Sequence, residues 1–210
     1  MKLIFDIGCN IGDWIKSNYD PADKFIGIEA DLNISHKCRQ VFKDKENVLI
    51  LNFLADTVSG TSKEFYVCDY CHGVLSTASI DWKDKGRFAN QKYEEPIKVN
   101  TISIDSLITL FGKPDEIKID VEGFELQVLK GLTQKIDLIS FEWAEEFVEN
   151  TISGINYLTE LGFTQFYVKD DDPYTFRPDE WFTAEEAIKK LGGYKYMSDI
   201  QNAWGMIYAK

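Results

Sequence analysis

The sequence has few basic residues, only two histidines and no long apolar run, and these shortages narrow its function. Its 23 lysines and arginines stand against 35 aspartates and glutamates, which gives a net charge of −12. Such an acidic chain is poorly suited to nucleic acid or anionic membranes, because both require a basic surface. No apolar run reaches membrane-spanning length, and Asp6 interrupts the N-terminal apolar stretch where a secretory signal would continue. We therefore expect a cytoplasmic protein without a membrane partner.

Cysteine is also scarce, and the four present do not indicate disulfides in a chain without an export signal. Residues 68–72 match C-x-x-C-H, a pattern typical of haem attachment. A zinc site could draw on the same thiols with Cys38 or His36. Haem attachment requires export, and motifs this short often match by chance. We favour a loop that carries two thiols and no metal.

The remaining composition is that of a globular protein, with 44% hydrophobic and 14% aromatic residues. We expect one domain over residues 1–210. Apolar runs at residues 3–7, 25–29 and 48–54 read as buried strands, with helical patterns between them. This alternation predicts a parallel sheet with right-handed crossovers.

The alternation stops after the third strand. Residues 64–67 read as a short strand, and residues 68–95 have no clear period. A connection this long is more than a fold usually needs, so we predict that it is a substrate loop. Its aromatic and basic side chains could contact an acceptor: Trp82, Phe88, Tyr93, Lys83, Lys85 and Arg87.

Four predicted strands end in a carboxylate: Asp6, Glu29, Asp120 and Glu142. Ligands of open parallel sheets bind beyond the carboxyl ends of the strands. Each acid alone could equally be a surface residue or a helix cap. Together they predict a shared acidic cleft.

The turn after the first strand limits the class of ligand that could bind in this cleft. Gly8 and Gly12, with Cys9 and Asn10 between them, form a G-x-N-x-G turn rather than the G-x-G-x-x-G turn of dinucleotide folds. Asp6, just before it, would repel a pyrophosphate. It suits a cationic ligand with an amino group, such as the methionine part of S-adenosylmethionine.

Two further segments extend the predicted cofactor site. Glu29, followed by Ala30, lies 23 residues after Asp6. That is close to the spacing at which an acid accepts the ribose hydroxyls of a nucleotide. Ala55 and Asp56 follow the third strand and could border the adenine.

These motifs resemble a known family. Residues 6–12 look like the first motif of class I methyltransferases. Residues 118–125, continuing to 128–131, are similar to the D-V-E-G-x-E…L-x-G signature of FkbM-type S-adenosylmethionine-dependent methyltransferases. The segments 54–56 and 65–67 and Gly60 also match the family pattern, so that the resemblance covers roughly residues 3–168.

The resemblance implies a Rossmann-like class I methyltransferase fold. Such a fold would have a mostly parallel seven-stranded sheet, helices on both faces, an antiparallel edge strand, and a short β insertion with a long loop after the third strand. It also implies S-adenosylmethionine as cofactor, S-adenosylhomocysteine as product, and a hydroxyl of a small molecule or glycan as acceptor.

A hydroxyl acceptor needs a base as its proton leaves. Asp120 is the first candidate and also borders the predicted cofactor site; Glu122, Glu142 and His72 follow. We expect no metal, with Mg²⁺ held by Asp120 and Glu142 as the alternative. Two other functions stay open: a nucleic-acid or protein methyltransferase with the same cofactor, and a non-catalytic Rossmann module that binds an adenosine ligand.

Overall fold

The computed structural model describes residues 1–194 and 203–210. Its ten strands are β1 (Leu3–Ile7), β2 (Lys24–Glu29), β3 (Val48–Asn52), β4 (Leu54–Ala55), β5 (Ser62–Phe65), β6 (Ile97–Ile102), β7 (Glu116–Ile119), β8 (Leu138–Ala144), β9 (Phe166–Lys169) and β10 (Trp204–Ala209). Its α-helices are α1 (Asp13–Asn18), α2 (Leu32–Val41), α3 (Ile80–Lys85), α4 (Ile104–Phe111), α5 (Glu125–Leu129), α6 (Val148–Glu160) and α7 (Ala184–Tyr194).

Seven strands form one sheet in the order β3-β2-β1-β7-β8-β10-β9. The pairs β1–β2, β2–β3, β1–β7 and β7–β8 are parallel, as the alternation of strands and helices predicts. The antiparallel strand, β10, pairs with both β8 and β9 and so is not at the edge, where we expected it. All of its residues after Trp204 are buried, which suits an inner position better than an edge.

Helices cover both faces of the sheet because side chains alternate along each strand. Phe5 and Ile7 of β1 pack with α4, α5, α6 and α7 in the larger core. Ile4 points to the opposite face and packs with α1 and α2 in a smaller one. At the start of α7 the N–H of Thr183 donates to Oε2 of Glu186 and the N–H of Glu186 donates to Oγ1 of Thr183, which together form a capping box.

The β insertion is a second sheet in the order β4-β6-β5. Its strand β5 begins two residues earlier than expected and ends at Phe65. Residues 68–95 are not the featureless loop that we predicted, because they contain a 3₁₀ turn at Tyr70–Gly73 and helix α3. Among the described residues, no helix combines the length and the apolar character needed to cross a membrane.

Candidate active site

The glycine turn, residues 8–12, joins three strand ends. Gly8 has a φ of +79°, and a Cβ there would lie 1.8 Å from the carbonyl oxygen of Asp120 beyond β7. The N–H groups of Gly8 and Cys9 both donate to the carbonyl of Ile28 on β2, at 2.9 and 3.0 Å. A side chain at position 8 would therefore separate β1 from β7, and glycine is required.

Glu29 at the end of β2 is fixed by the same turn. Its Oε2 accepts the N–H of Asn10 at 3.0 Å, and its Oε1 accepts the N–H of Asp31 at 2.8 Å. Burial raises the pKa of Glu29 to about 7, although these hydrogen bonds oppose the shift. Its carboxylate is thus held rigidly at the edge of a cleft and keeps lone pairs for a ligand.

A cleft of about 900 Å³, open to solvent, crosses the carboxyl ends of β2, β1 and β7. Its lining joins the glycine turn, the β2 end and the turn after β7. The predicted residues in this lining are Gly8, Cys9, Asn10, Glu29, Ala30, Ala55, Asp120 and Glu122.

The two ends of the cleft differ in polarity. Leu54, Phe65 and Phe124 line one end and pack together in a small apolar cluster. At the β7 end the lining includes Lys118 and Asp120, and Lys118 is the only basic side chain among the described lining residues. One end therefore suits an aromatic base, and the other suits charged groups.

Five predicted site residues do not line this cleft, and one of them, Glu142 on β8, lines a separate smaller pocket with Trp82 and Gly123. Asp6 is 0% exposed beneath it, and Gly12 packs against Phe42 as the N-cap of α1. Asp56 is turned away, because its carboxylate pairs with Lys63 at 2.8 Å. The side chain of His72 is exposed outside the lining, which argues against it as the base.

His72 contributes its backbone instead. Its carbonyl accepts a hydrogen bond from Nδ2 of Asn10 at 3.1 Å. This contact closes the 3₁₀ turn onto the glycine turn, and both residues have positive φ angles. The loop at residues 68–95 therefore contacts the glycine turn through the main chain of His72, and its residues Gly73, Val74, Ser76 and Ala78 line the cleft.

Three carboxylates, which we call the carboxylate cluster, meet beside the cleft: Asp120, Glu122 and Glu142. One oxygen from each lies within 4.8 Å of the others. Asp120 follows β7, as the strand-end pattern predicts, whereas Glu142 lies inside the neighbouring strand β8, which continues to Ala144. Asp120 pairs with Lys118 at 2.9 Å, whereas the carboxylates of Glu122 and Glu142 make no hydrogen bond to any described residue.

The two unpaired glutamates are unusually basic. Burial raises the pKa of Glu122 well above its ordinary value, and the charges of Asp120 and Glu125 add to the effect. Burial raises the pKa of Glu142 in the same way, with further contributions from Glu122 and Asp120. Such carboxylates accept a proton near neutral pH more readily than exposed ones.

The carboxylate cluster could also ligate one cation, which is the Mg²⁺ alternative. In the described part of the chain, no other group of acids, histidines or cysteines has metal-ligand spacing. The motif at residues 68–72 does not have metal-ligand spacing. Its cysteines are free thiols, of which Cys68 is buried and Cys71 is exposed. The absence of a structural metal stays a prediction.

The aromatic residues of the loop pack inward. Trp82 is 3% exposed, and its ring contacts Phe88, Phe147 and the backbone at Gly123. It is therefore a packed wall of the smaller pocket beside Glu142 rather than a free stacking surface in the cleft, which corrects our expectation. The three basic residues that we expected to contact an acceptor are engaged as well: Lys83 with Asp84, Lys85 with Asp81 and Arg87 with Glu146.

Sequence reasoning missed Lys118, Phe124 and Tyr174 as lining residues. Lys118 could have been found, because it lies two residues before Asp120 and so shares its face of β7. Tyr174 comes from the charged loop after β9, and no local pattern indicates that this loop returns to the cleft.

Comparisons with known proteins agree with this geometry. The sequence profile of the methyltransferase FkbM domain matches residues 6–164, more than half of the 210-residue chain. Aeropyrum pernix fibrillarin bound to S-adenosyl-L-methionine is 12% identical with a TM-score of 0.50, over 100% of this chain and 66% of that one. Precorrin-6y C5,15-methyltransferase of Geobacter metallireducens is 11% identical with a TM-score of 0.45, over 100% and 78%. No curated protein matches.

At these identities the likeness to solved structures concerns the fold. This chain spans 66% of the length of the fibrillarin chain. The likeness to fibrillarin confirms the predicted Rossmann-like class I methyltransferase fold, and the range matched by the profile includes the glycine turn and the turn after β7.

Proposed function

The chain belongs to the FkbM methyltransferase family and is an S-adenosylmethionine-dependent methyltransferase, and we propose that it methylates a hydroxyl of a small molecule or glycan. The observation that carries this proposal is the position of Glu122 and Glu142. Two unpaired carboxylates with raised pKa values stand beside the polar end of the cofactor cleft. A hydroxyl acceptor needs such a base, because its proton must leave as the methyl group arrives.

The cleft fits S-adenosylmethionine by shape and polarity. The glycine turn leaves room where a Cβ at Gly8 would strike Asp120. Glu29 would accept the ribose hydroxyls, and the apolar end around Phe65 and Phe124 would receive the adenine. The methionine part would then lie at the β7 end. The bound cofactor supplies an electrophilic methyl group, so the protein mainly has to align the acceptor.

We assign the base to Glu142, with Glu122 as its neighbour, rather than to Asp120. Asp120 is already paired with Lys118, so its carboxylate is engaged by a fixed cation. Glu142 has no such partner among the described residues. The proton of the acceptor would pass to a carboxylate oxygen of Glu142 as the methyl group is transferred.

Residues 68–95 would cover the acceptor. Trp82 packs on Gly123, and the hydroxyl of Thr77 donates to the carbonyl of Glu122 at 2.6 Å. These contacts attach the loop to the turn that carries Glu122, the neighbour of the proposed base. Because Lys83, Lys85 and Arg87 already pair with acids, we propose a neutral rather than an anionic acceptor. The cytoplasmic location stays a prediction.

A transfer screen tests the hydroxyl assignment. The protein would be incubated with S-adenosylmethionine labelled in its methyl group and with separate sets of hydroxyl-bearing metabolites, glycans, amines, RNA and proteins. Label recovered as an alkali-stable ether on a hydroxyl acceptor supports the proposal. Label found only on nitrogen, RNA or protein would replace it with the alternative methyltransferase functions.

A further inference from the structure

We infer that Lys118 is a positioning residue of the cofactor site, which holds the carboxylate of Asp120 where it accepts the α-ammonium group of S-adenosylmethionine. Asp6, beneath both, supplies the counter-charge that keeps Lys118 in place. The inference rests on the cofactor placement proposed above. It assigns separate functions to Lys118, Asp120 and Asp6, which the sequence motifs alone do not distinguish.

The strand register brings the three residues together. Lys118 on β7 stands directly opposite Asp6 on β1. Ile117 and Ile119 enter the larger core, so the side chain of Lys118 leaves the sheet on the face that Asp6 also occupies. Its Nζ lies 2.9 Å from Oδ2 of Asp120 and 3.9 Å from Oδ1 of Asp6.

Lys118 is too buried and too surrounded by acids to bind the carboxylate of the cofactor itself. Its side chain is 4% exposed. Burial opposes its charge, but Asp120, Asp6 and Asp172 outweigh burial and raise its pKa above the ordinary value. With several carboxylates around one ammonium, the local charge is negative, and this favours the cationic group of an incoming amino acid.

Asp120 has the remaining capacity to bind that group. Its side chain is 27% exposed on the cleft side, whereas Asp6 is fully buried. Lys118 occupies Oδ2, and Oδ1 makes no hydrogen bond to any described residue. Neither carboxylate oxygen of Asp6 has a hydrogen-bond partner in the described chain, so Asp6 contributes charge rather than a ligand contact.

Binding of S-adenosylhomocysteine and two of its analogues tests this role without any turnover. One analogue lacks the amino group and the other lacks the carboxylate. Calorimetry on the wild-type protein should show a preference of about 10- to 100-fold for S-adenosylhomocysteine over the deaminated analogue, as expected for a charge-assisted hydrogen bond. Equal affinities for these two ligands in the wild type would overturn the inference.

The variants then separate positioning from direct contact. In Lys118→Met the preference for the amino group should fall below about threefold, while the affinity for the deaminated analogue changes by less than about threefold. Lys118→Arg, which keeps the charge, should retain most of the preference. Lys135→Met is the matched control, because Lys135 lies over Phe163, away from the cleft. An unchanged amino preference in Lys118→Met, or loss of the carboxylate preference instead, contradicts the positioning role.

A double variant tests whether the result for Lys118→Met comes only from misfolding. Lys118→Met leaves Asp6 buried without a cation, and the double variant with Asp6→Asn removes that charge as well. The double variant should show the same lost amino preference. Failure of the wild type to bind S-adenosylhomocysteine at all would instead remove the cofactor placement, so the two failures are distinguishable.

Discussion

The backbone N–H of Asn10 donates a 3.0 Å hydrogen bond to Oε2 of Glu29. Asn10 belongs to the glycine turn and Glu29 ends the neighbouring strand, so this one contact joins the two motifs that form the cofactor cleft. The second oxygen of Glu29 accepts the N–H of Asp31 before α2. A carboxylate held from both sides needs no reorganisation when a ligand arrives.

Glu29→Gln should weaken S-adenosylmethionine binding by about tenfold or more, since the variant loses an ionised acceptor for the ribose hydroxyls. Calorimetry at constant pH measures the change. Asp56→Asn is the matched control, because Asp56 is a buried acid that pairs with Lys63 and does not line the cleft. Equal losses in the two variants would contradict the assignment of Glu29.

The affinity for S-adenosylmethionine should depend on pH through Glu29. Burial raises the pKa of Glu29 to about 7, and only its ionised form accepts two hydroxyls. Affinity should therefore fall as pH drops below about 7, approaching tenfold per pH unit. Titrations between about pH 5.5 and about pH 8.5 would follow this change. Glu29→Gln should give a flatter profile, and an identical slope in both proteins would assign the effect to another group.

Gly8→Ala should be far more damaging than Gly60→Ala. Both glycines have φ near +79°, at +79° and +78°, so the strain of a left-handed alanine is similar. That strain costs about 1–2 kcal/mol. A Cβ at Gly60 meets nothing within 4 Å, whereas one at Gly8 would lie 1.8 Å from the carbonyl oxygen of Asp120. Urea unfolding should show the difference, and equal losses would mean that the turn relaxes freely.

The free energy of unfolding without cofactor should fall as pH rises from about 5 to about 8. Burial raises the pKa of Asp6 to about 6 and that of Glu29 to about 7. At pH values between the ordinary and the raised pKa of these two acids, the folded chain thus binds more protons than the unfolded chain. We expect a loss on the order of 4 kcal/mol. Urea melts at the two pH values measure it, and greater stability at the higher pH would contradict the burial of these acids.

The strand-end acids could be predicted from the sequence because their signal is local. Asp120 and Glu142 each close an apolar run, and parallel strands bring such ends to one edge. Local sequence patterns do not predict the direction in which the side chain of such an acid points. Asp56 turns to Lys63, and Asp6 points into the sheet face rather than the cleft. Those outcomes depend on packing between distant segments.

The inner position of β10 and the burial of Trp82 were missed for the same reason. A terminal strand can add to a sheet at either side of its neighbour, and pairing with both β8 and β9 is decided by the whole sheet. Trp82 lies in a stretch without a helical period, yet it is fixed by Phe88, Phe147 and Gly123. Contacts of this kind join residues far apart in sequence.

Glu142→Gln should abolish most methyl transfer while leaving cofactor binding intact. Loss of a general base typically lowers the rate by about 10²- to 10⁴-fold. Asp120→Asn should instead raise the dissociation constant for S-adenosylmethionine. Labelled-methyl assays on any acceptor found in the screen, with calorimetry alongside, separate the two effects. Full activity in Glu142→Gln would transfer the base role to Glu122.

Equilibrium dialysis with S-adenosylmethionine tests the central claim most directly. We expect saturable binding of one molecule per chain, with a dissociation constant below about 1 mM, the upper end of usual enzyme–substrate affinities. Glu29→Gln should weaken this binding, and Asp56→Asn should not. Absence of saturable binding at that concentration, or equal binding by wild type and Glu29→Gln, would contradict the assignment of the cleft.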